Sequence, residues 1–254
     1  MPQSPQVFNA YSAYYDLLYA DKPYEDEVGY IMSQLKRLGI QKGTLLEFGS
    51  GTGRHGRLLG ELGYSVLGVE QSASMLAKSV DTGSFHAIQG DLLDASLKRE
   101  FDAILALFHV FSYQVSDDAS VKFFQQANRH LKPQGVLLFD CWYTPAVFST
   151  GCSVRVKEIQ SETIKVTRVA EPLSFPNEHR VDVKYTIFIT HVESGIVECF
   201  TEIHSMRHFS SPEIRYLAKA NGFDILNSEE FYTGRELSAE TWGACFTLKK
   251  ERDL

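Results

Sequence analysis

Short apolar runs recur along the first 143 residues, at 45–48, 64–70, 85–93, 101–107 and 136–140. Stretches with helical spacing separate them, among them 73–80 and 116–131, the second ended by Lys132-Pro133-Gln134-Gly135. Strands alternating with helices in this way predict a mostly parallel, doubly wound α/β sheet. The pattern changes after residue 143. Residues 154–156, 163–169, 180–192 and 196–207 alternate and are rich in β-branched side chains, and Gly195 falls in a turn between the last two runs. This reads as an antiparallel insert over 151–208, too strand-rich for another crossover unit. Ser211-Pro212-Glu213 then opens a helix that stops at Asn221-Gly222, and 223–226 and 241–249 read as closing strands. No linker rich in Pro, Gly or Ser interrupts the chain, so 1–254 is expected to be one domain with an appended sheet.

The densest chemistry lies at Glu47-Phe48-Gly49-Ser50-Gly51-Thr52-Gly53-Arg54-His55-Gly56. A buried strand reaches an acid and turns through alternating glycines into a helix. Glycines let the backbone take positive φ and let a ligand lie against it, and the helix start offers free N–H groups. Gly51, Gly53 and Gly56 fit the dinucleotide spacing G-x-G-x-x-G, but that register begins two residues after the strand's first glycine. Counted from the strand end, Glu47, Gly49, Gly51 and Gly53 form E-x-G-x-G-x-G. A glycine-rich turn without a ligand is the bland alternative. Glu70, 17 residues beyond Gly53, suits a grip on ribose hydroxyls. As a helix-start charge before Ser72 it would need no ligand.

The second register resembles motif I of the class I S-adenosylmethionine-dependent methyltransferases. Gly90-Asp91-Leu92 resembles the segment whose acid meets the adenine amino group, and the run from Leu131 to Leu138 is similar to that family's approach to strand five. The resemblance implies a Rossmann-like, seven-stranded sheet and S-adenosylmethionine as cofactor. The residues it implies around the cofactor are Tyr15, Glu47, Gly49, Gly51, Gly53, Glu70, Gln71, Asp91, Leu92 and Leu107. The wider pattern is similar to N-methyltransferases of nucleotide-linked amino sugars. It rests on Tyr15-Asp16-Leu17, residues 69–76, the aromatic loop after strand four, Asp140 before Trp142-Tyr143, and Ser194-Gly195-Ile196 leading to Glu202-Ile203-His204. Asp140-Cys141 replaces that family's Glu-Pro, residues 109–113 replace its Ser-Ser-Ile-Gly-His, and residues 239–243 replace a glycine-rich arginine segment. All three departures lie on the acceptor side.

Asp140 ends strand five and His109–Tyr113 follow strand four, so they are expected to face the transferred methyl group from neighbouring strands. Asp140, Tyr113 and His109 are the catalytic candidates; Trp142, Tyr143 and His204 are the candidates for acceptor contact. Tyr11, Tyr14, Tyr15, Tyr19 and Tyr24 form either a packing stripe or a lid. The insert is expected to cover the acceptor or to form a homodimer interface. Another small N or O acceptor and a non-catalytic nucleotide-binding module are the competing functions.

Composition narrows the partners. The net charge is −7, which disfavours a nucleic-acid backbone. No run is long and apolar enough for a membrane span, and residues 1–9 lack a signal-peptide core, so a cytoplasmic location is expected. The four cysteines are widely spaced and the eight histidines show no metal-binding spacing; no metal is expected.

Overall fold

In the computed structural model, residues 12–254 are described; Tyr11 lies outside them. Five strands run parallel: β1 (Thr44–Phe48), β2 (Ser65–Glu70), β3 (Phe85–Gln89), β4 (Phe101–Ala106) and β5 (Leu131–Tyr143). Their spatial order is β3-β2-β1-β4-β5. The order therefore reverses between β1 and β4, and the crevice at the carboxyl ends of these two strands is where open α/β sheets bind ligands. The helices are α1 (Ser12–Leu18), α2 (Tyr24–Arg37), α3 (Arg54–Glu61), α4 (Ala73–Leu76), α5 (Asp117–His130), α6 (Thr144–Thr150) and α7 (Ser211–Ala220).

Local chemistry sets these boundaries. Ser116 caps α5 by accepting from the Ala119 amide at 3.1 Å, with Asp117 and Asp118 in the first turn and Arg129 and His130 in the last. Ser72 caps α4 in the same way. That helix ends at Leu76 instead of running to residue 80. Gln134, at φ 65°, turns the chain inside β5, so the strand begins five residues earlier than its apolar run suggests.

The insert is an antiparallel meander of β6 (Arg155–Gln160), β7 (Ile164–Phe175), β8 (Arg180–His191) and β9 (Val197–Phe209). β6, β7 and β9 are longer than the alternating runs, β8 is one residue shorter, and β9 continues one residue past the expected end of the insert. Strands β10 (Phe223–Glu230) and β11 (Gly243–Lys250) close the other side, β11 pairing antiparallel with β5. On its opposite edge, β5 pairs with β4 up to Ala106↔Phe139, and β9 takes over at Trp142↔His208. Asp140 and Cys141 sit in the gap between the two partners.

One face of the central sheet carries an aromatic core: Phe111, Phe123, Phe124, Phe139 and Phe209 are all fully buried. The Phe111 and Phe209 rings stack at 4.3 Å, which ties the turn after β4 to the end of the insert. Among the described residues no helix is long and apolar enough to cross a membrane.

Candidate active site

The glycine loop joins β1 to α3. Gly49, Gly51 and Gly53 have φ of 65°, 57° and 77°, values that favour glycine. The loop is also tight. A Cβ on Gly49 would lie 2.7 Å from Val110, and one on Gly56 would lie 2.3 Å from the Phe85 ring. Glu70, at the end of β2, accepts from the Gly51 amide and from the Ser72 amide, each at 2.8 Å. Burial raises its carboxyl above the usual range, against the pull of those amides. The Gly90 amide donates to the Glu70 carbonyl at 2.9 Å, which brings Asp91 beside it. Asp91 Oδ1 accepts from the Leu93 amide at 2.8 Å. The three loops expected to hold the cofactor therefore meet at one end of the sheet.

Glu47 is 2 % exposed, and its Oε2 has no hydrogen-bond partner. Burial, then the charge of Glu70, pushes its carboxyl up to about 8, opposed by the Gly56 amide and the Arg57 guanidinium. Thr52 donates to Asp16 of α1 at 2.9 Å. Tyr15 packs on the insert with Leu18, Val166 and Ile187, so α1 is wedged between the glycine loop and the insert sheet. Gln71 is exposed and Leu92 packs against the aromatic core. Leu107 is 3 % exposed and packs with Leu45 and Leu105 on the α2–α3 side of the sheet.

The sequence reading missed three residues beneath the loop. His55 Nε2 lies 2.8 Å from Glu27 Oε2, and Lys22 pairs with the same carboxylate. The Lys22 ammonium lies 4.3 Å from the Tyr24 ring centroid and 4.6 Å from that of Phe108. Burial lowers its pKa, against the charges of Glu27 and Asp140. Glu27 reads in sequence as one more solvated acid in the first turn of α2; only its distant partners reveal it.

The acceptor side begins at the end of β4. Phe108 and His109 both have positive φ, at 63° and 65°, which is strained for bulky residues. The strain is held by Asp140: the His109 amide donates to both carboxylate oxygens at 3.1 Å, and His109 Nδ1 lies 2.6 Å from Oδ2. Asp140 is fully buried, whereas the His109 side chain is 22 % exposed. The carboxylate expected to meet the acceptor thus stands behind the imidazole. Trp142 lies edge-on to His109 and to Trp242, at 6.4 and 5.3 Å between centroids. Tyr143 does not join them. Successive side chains on a strand point to opposite faces, so Tyr143 turns into the core and shares a hydrogen bond with Ser211 at 3.0 Å. Tyr113 reaches His204 of β9 at 2.8 Å.

The comparisons match this geometry. Residues 45–135, which hold the glycine loop, Glu47, Glu70, Asp91 and the turn after β4, match the family model described as a methyltransferase domain. The chain carries a methyltransferase domain, and its fold is that of the class I S-adenosylmethionine-dependent methyltransferases. It is 29 % identical over 212 residues to a dTDP-3-amino-3,6-dideoxy-alpha-D-glucopyranose N,N-dimethyltransferase of Streptomyces fradiae, covering 78 % of this chain and 80 % of that one. A dTDP-3-amino-3,4,6-trideoxy-alpha-D-glucopyranose N,N-dimethyltransferase of Streptomyces venezuelae is 27 % identical over 88 % of this chain and 94 % of its own. The fold is shared with the S-adenosylmethionine-bound CalS10, an amino pentose methyltransferase from Micromonospora echinaspora involved in calicheamicin biosynthesis. That likeness has a TM-score of 0.77 and 22 % identity, over 98 % of this chain and 99 % of the other.

The residues present fit the cofactor. The glycine cradle leaves no room for side chains, and a buried carboxyl oxygen of Glu47 lacks a partner. The flanking acids suit a ligand with hydroxyls and positive charge and no phosphate.

Proposed function

We propose that this methyltransferase N-methylates the amine of a nucleotide-linked amino deoxysugar. The observation that carries the reading is the His109–Asp140 pair at the carboxyl ends of β4 and β5, since an amine must shed a proton to accept a methyl group. The named acceptors of the two curated relatives support a sugar amine. The aromatic pair Trp142 and Trp242 supports a bulky acceptor. Arg155, whose guanidinium carbon lies 6.0 Å from the Trp242 ring, supports an anionic one.

When bound, S-adenosylmethionine supplies a methyl group on a sulfonium sulfur, which keeps the C–S bonding pair as the nitrogen lone pair forms the new bond. Glu70 would hold the ribose and Asp91 the adenine. Lys22 is the cation available to the carboxylate, and Glu47 is an acceptor for the ammonium. His109, held through its backbone amide by Asp140, offers its imidazole as the base that keeps the acceptor amine neutral. Asp140 acts through His109 and is a positioning residue. Holding the two reactants in line supplies on the order of 7–11 kcal/mol of the barrier.

The test is incubation with thymidine diphosphate amino deoxysugars and mass spectrometry of the product. A gain of one or two methyl groups supports the reading. Binding of S-adenosylmethionine without methylation of any amino sugar overturns it.

A further inference from the structure

Arg155 opens β6, on the face of the insert that looks toward the body of the molecule. Its cross-strand partner is Ala170 of β7, and residues directly opposite each other on paired strands share a face. Ala170 is buried with Val147, Val181 and Val183, and Trp142 and Trp242 pack against that cluster. The Arg155 guanidinium carbon lies 6.0 Å from the Trp242 ring centroid. Its charge also opposes the rise that burial gives the Cys152 thiol, which places the guanidinium on the same side. Among the described residues Arg155 has no hydrogen bond and no ion pair. The other lysines and arginines of the insert strands do have polar partners. Lys157, Lys165, Arg180, Lys184 and Arg207 each lie against a carboxylate, and Arg168 donates to the Tyr19 hydroxyl. In a chain with 32 acids and 25 bases, an arginine left without an acid next to the aromatic wall of the acceptor side is a ready partner for an anion brought from outside.

His109, Trp142, Trp242 and Arg155 follow one another. The first two ring centroids are 6.4 Å apart, the two indoles 5.3 Å, and the guanidinium stands 6.0 Å from the second indole. The row leads from the proposed base to the cation. A nucleotide-linked amino sugar has the same order of parts: an amine, a ring, and a diphosphate on the anomeric carbon. We infer that Arg155 binds the diphosphate of the acceptor, while the two indoles hold the sugar ring and His109 meets the amine. The inference rests on the amino-sugar reading above. A guanidinium presents its N–H donors as a planar fork that matches two phosphate oxygens at once. A deoxysugar exposes C–H groups where other sugars carry hydroxyls, and an indole offers them a large apolar face.

The anion thereby becomes part of the selection. The net charge of −7 repels a diphosphate at long range, and Arg155 supplies the local attraction that offsets it. The same amino sugar without its nucleotide gains nothing from Arg155. The linked sugar is therefore favoured through KM, and methylation precedes the glycosyl transfer that releases the diphosphate.

Calorimetry of the full chain with thymidine diphosphate and with thymidine, in phosphate-free buffer, tests the site without turnover. The wild type should bind the diphosphate more tightly than the nucleoside. Arg155→Gln should cut diphosphate affinity about tenfold, from the loss of charge-assisted hydrogen bonds, and leave thymidine and S-adenosylmethionine binding unchanged. Arg155→Lys, a charge without the fork, should recover part of the loss. In turnover, Arg155→Gln should raise KM for a thymidine diphosphate amino deoxysugar by about the same factor, with a smaller effect on kcat. Equal wild-type affinity for diphosphate and nucleoside, or wild-type diphosphate affinity in Arg155→Gln, overturns the inference whatever the acceptor amine is. A diphosphate preference that Arg155→Gln abolishes, in an enzyme that methylates no amino sugar, overturns the amine reading instead and leaves the anion site standing.

Discussion

Asp140 grips the backbone of His109: both of its oxygens accept the His109 amide at 3.1 Å, and one lies 2.6 Å from Nδ1 of the ring without hydrogen-bond geometry. A residue of β5 thereby fixes the strained backbone that carries the imidazole of the loop after β4. Asp140→Asn keeps the volume but substitutes an amide for one accepting oxygen. We expect kcat to fall about 10²–10⁴-fold, the range of a positioned base, with cofactor affinity unchanged. The check is kcat against pH with saturating amine. A wild-type rate at neutral pH would remove the pair from the chemistry.

Glu70 organises the cofactor loops through the Gly51 and Ser72 amides, at 2.8 Å each. Glu70→Ala leaves both donors without their charged partner. Hydrogen bonds to charged groups contribute about 1.5–3 kcal/mol each, so S-adenosylmethionine binding should weaken tenfold or more. Calorimetry reads this directly, and unchanged affinity contradicts the assignment.

His208 is fully buried, and burial, then the charges of His179 and Arg207, pushes its pKa down to about 4. The unfolded ring titrates near 6.5. Between these values the unfolded chain binds a proton that the folded chain refuses, so this residue's share of stability is lost as pH falls from about 6.5 to 4. The loss between pH 7 and 5 should be about 2 kcal/mol. Urea titrations at the two pH values measure it, and His208→Gln should reduce the difference by that amount. An unchanged difference in the variant would show that other groups set the acid sensitivity.

Phe111 is packed among Phe123, Phe124, Phe139 and Phe209. Phe111→Ala should destabilise the fold by about 3–5 kcal/mol and loosen the turn that carries Tyr113. The expected signature is a lower denaturation midpoint together with a lower kcat at temperatures where the variant is folded. A midpoint within error of wild type would mean that the core refills the space.

The parallel strands and the cofactor loop were legible because they are local: Glu47 and the glycines sit within seven residues of each other, and a buried strand is a continuous apolar run. The insert was visible from alternation alone, though β7 runs on to Phe175, six residues past its alternating run, as it pairs with β8 through Glu171, Pro172 and Ser174, which break the pattern. The acceptor side was half legible. Asp140, His109, Tyr113 and His204 were singled out as candidates, but the order in which they stand was not read. Nothing in the sequence shows that His109 covers Asp140, since that depends on positive φ at Phe108 and His109. Tyr143 was misplaced because pairing it with Trp142 ignored the alternation of the strand. Lys22, Glu27 and His55 come from a loop and two helices, and only the packing of α2 on α3 brings them together.

Strand β5 pairs with β4 and β11 along most of its length, and with β9 at its last two residues. A strand that changes partners midway makes the insert mechanically continuous with the catalytic layer. A pull on β9 is transmitted through Trp142 to the position where Asp140 holds His109. An acceptor seated against the insert, as the sequence leads one to expect, would therefore bear on the position of the proposed base, and occupancy and alignment would become a single event along one piece of backbone.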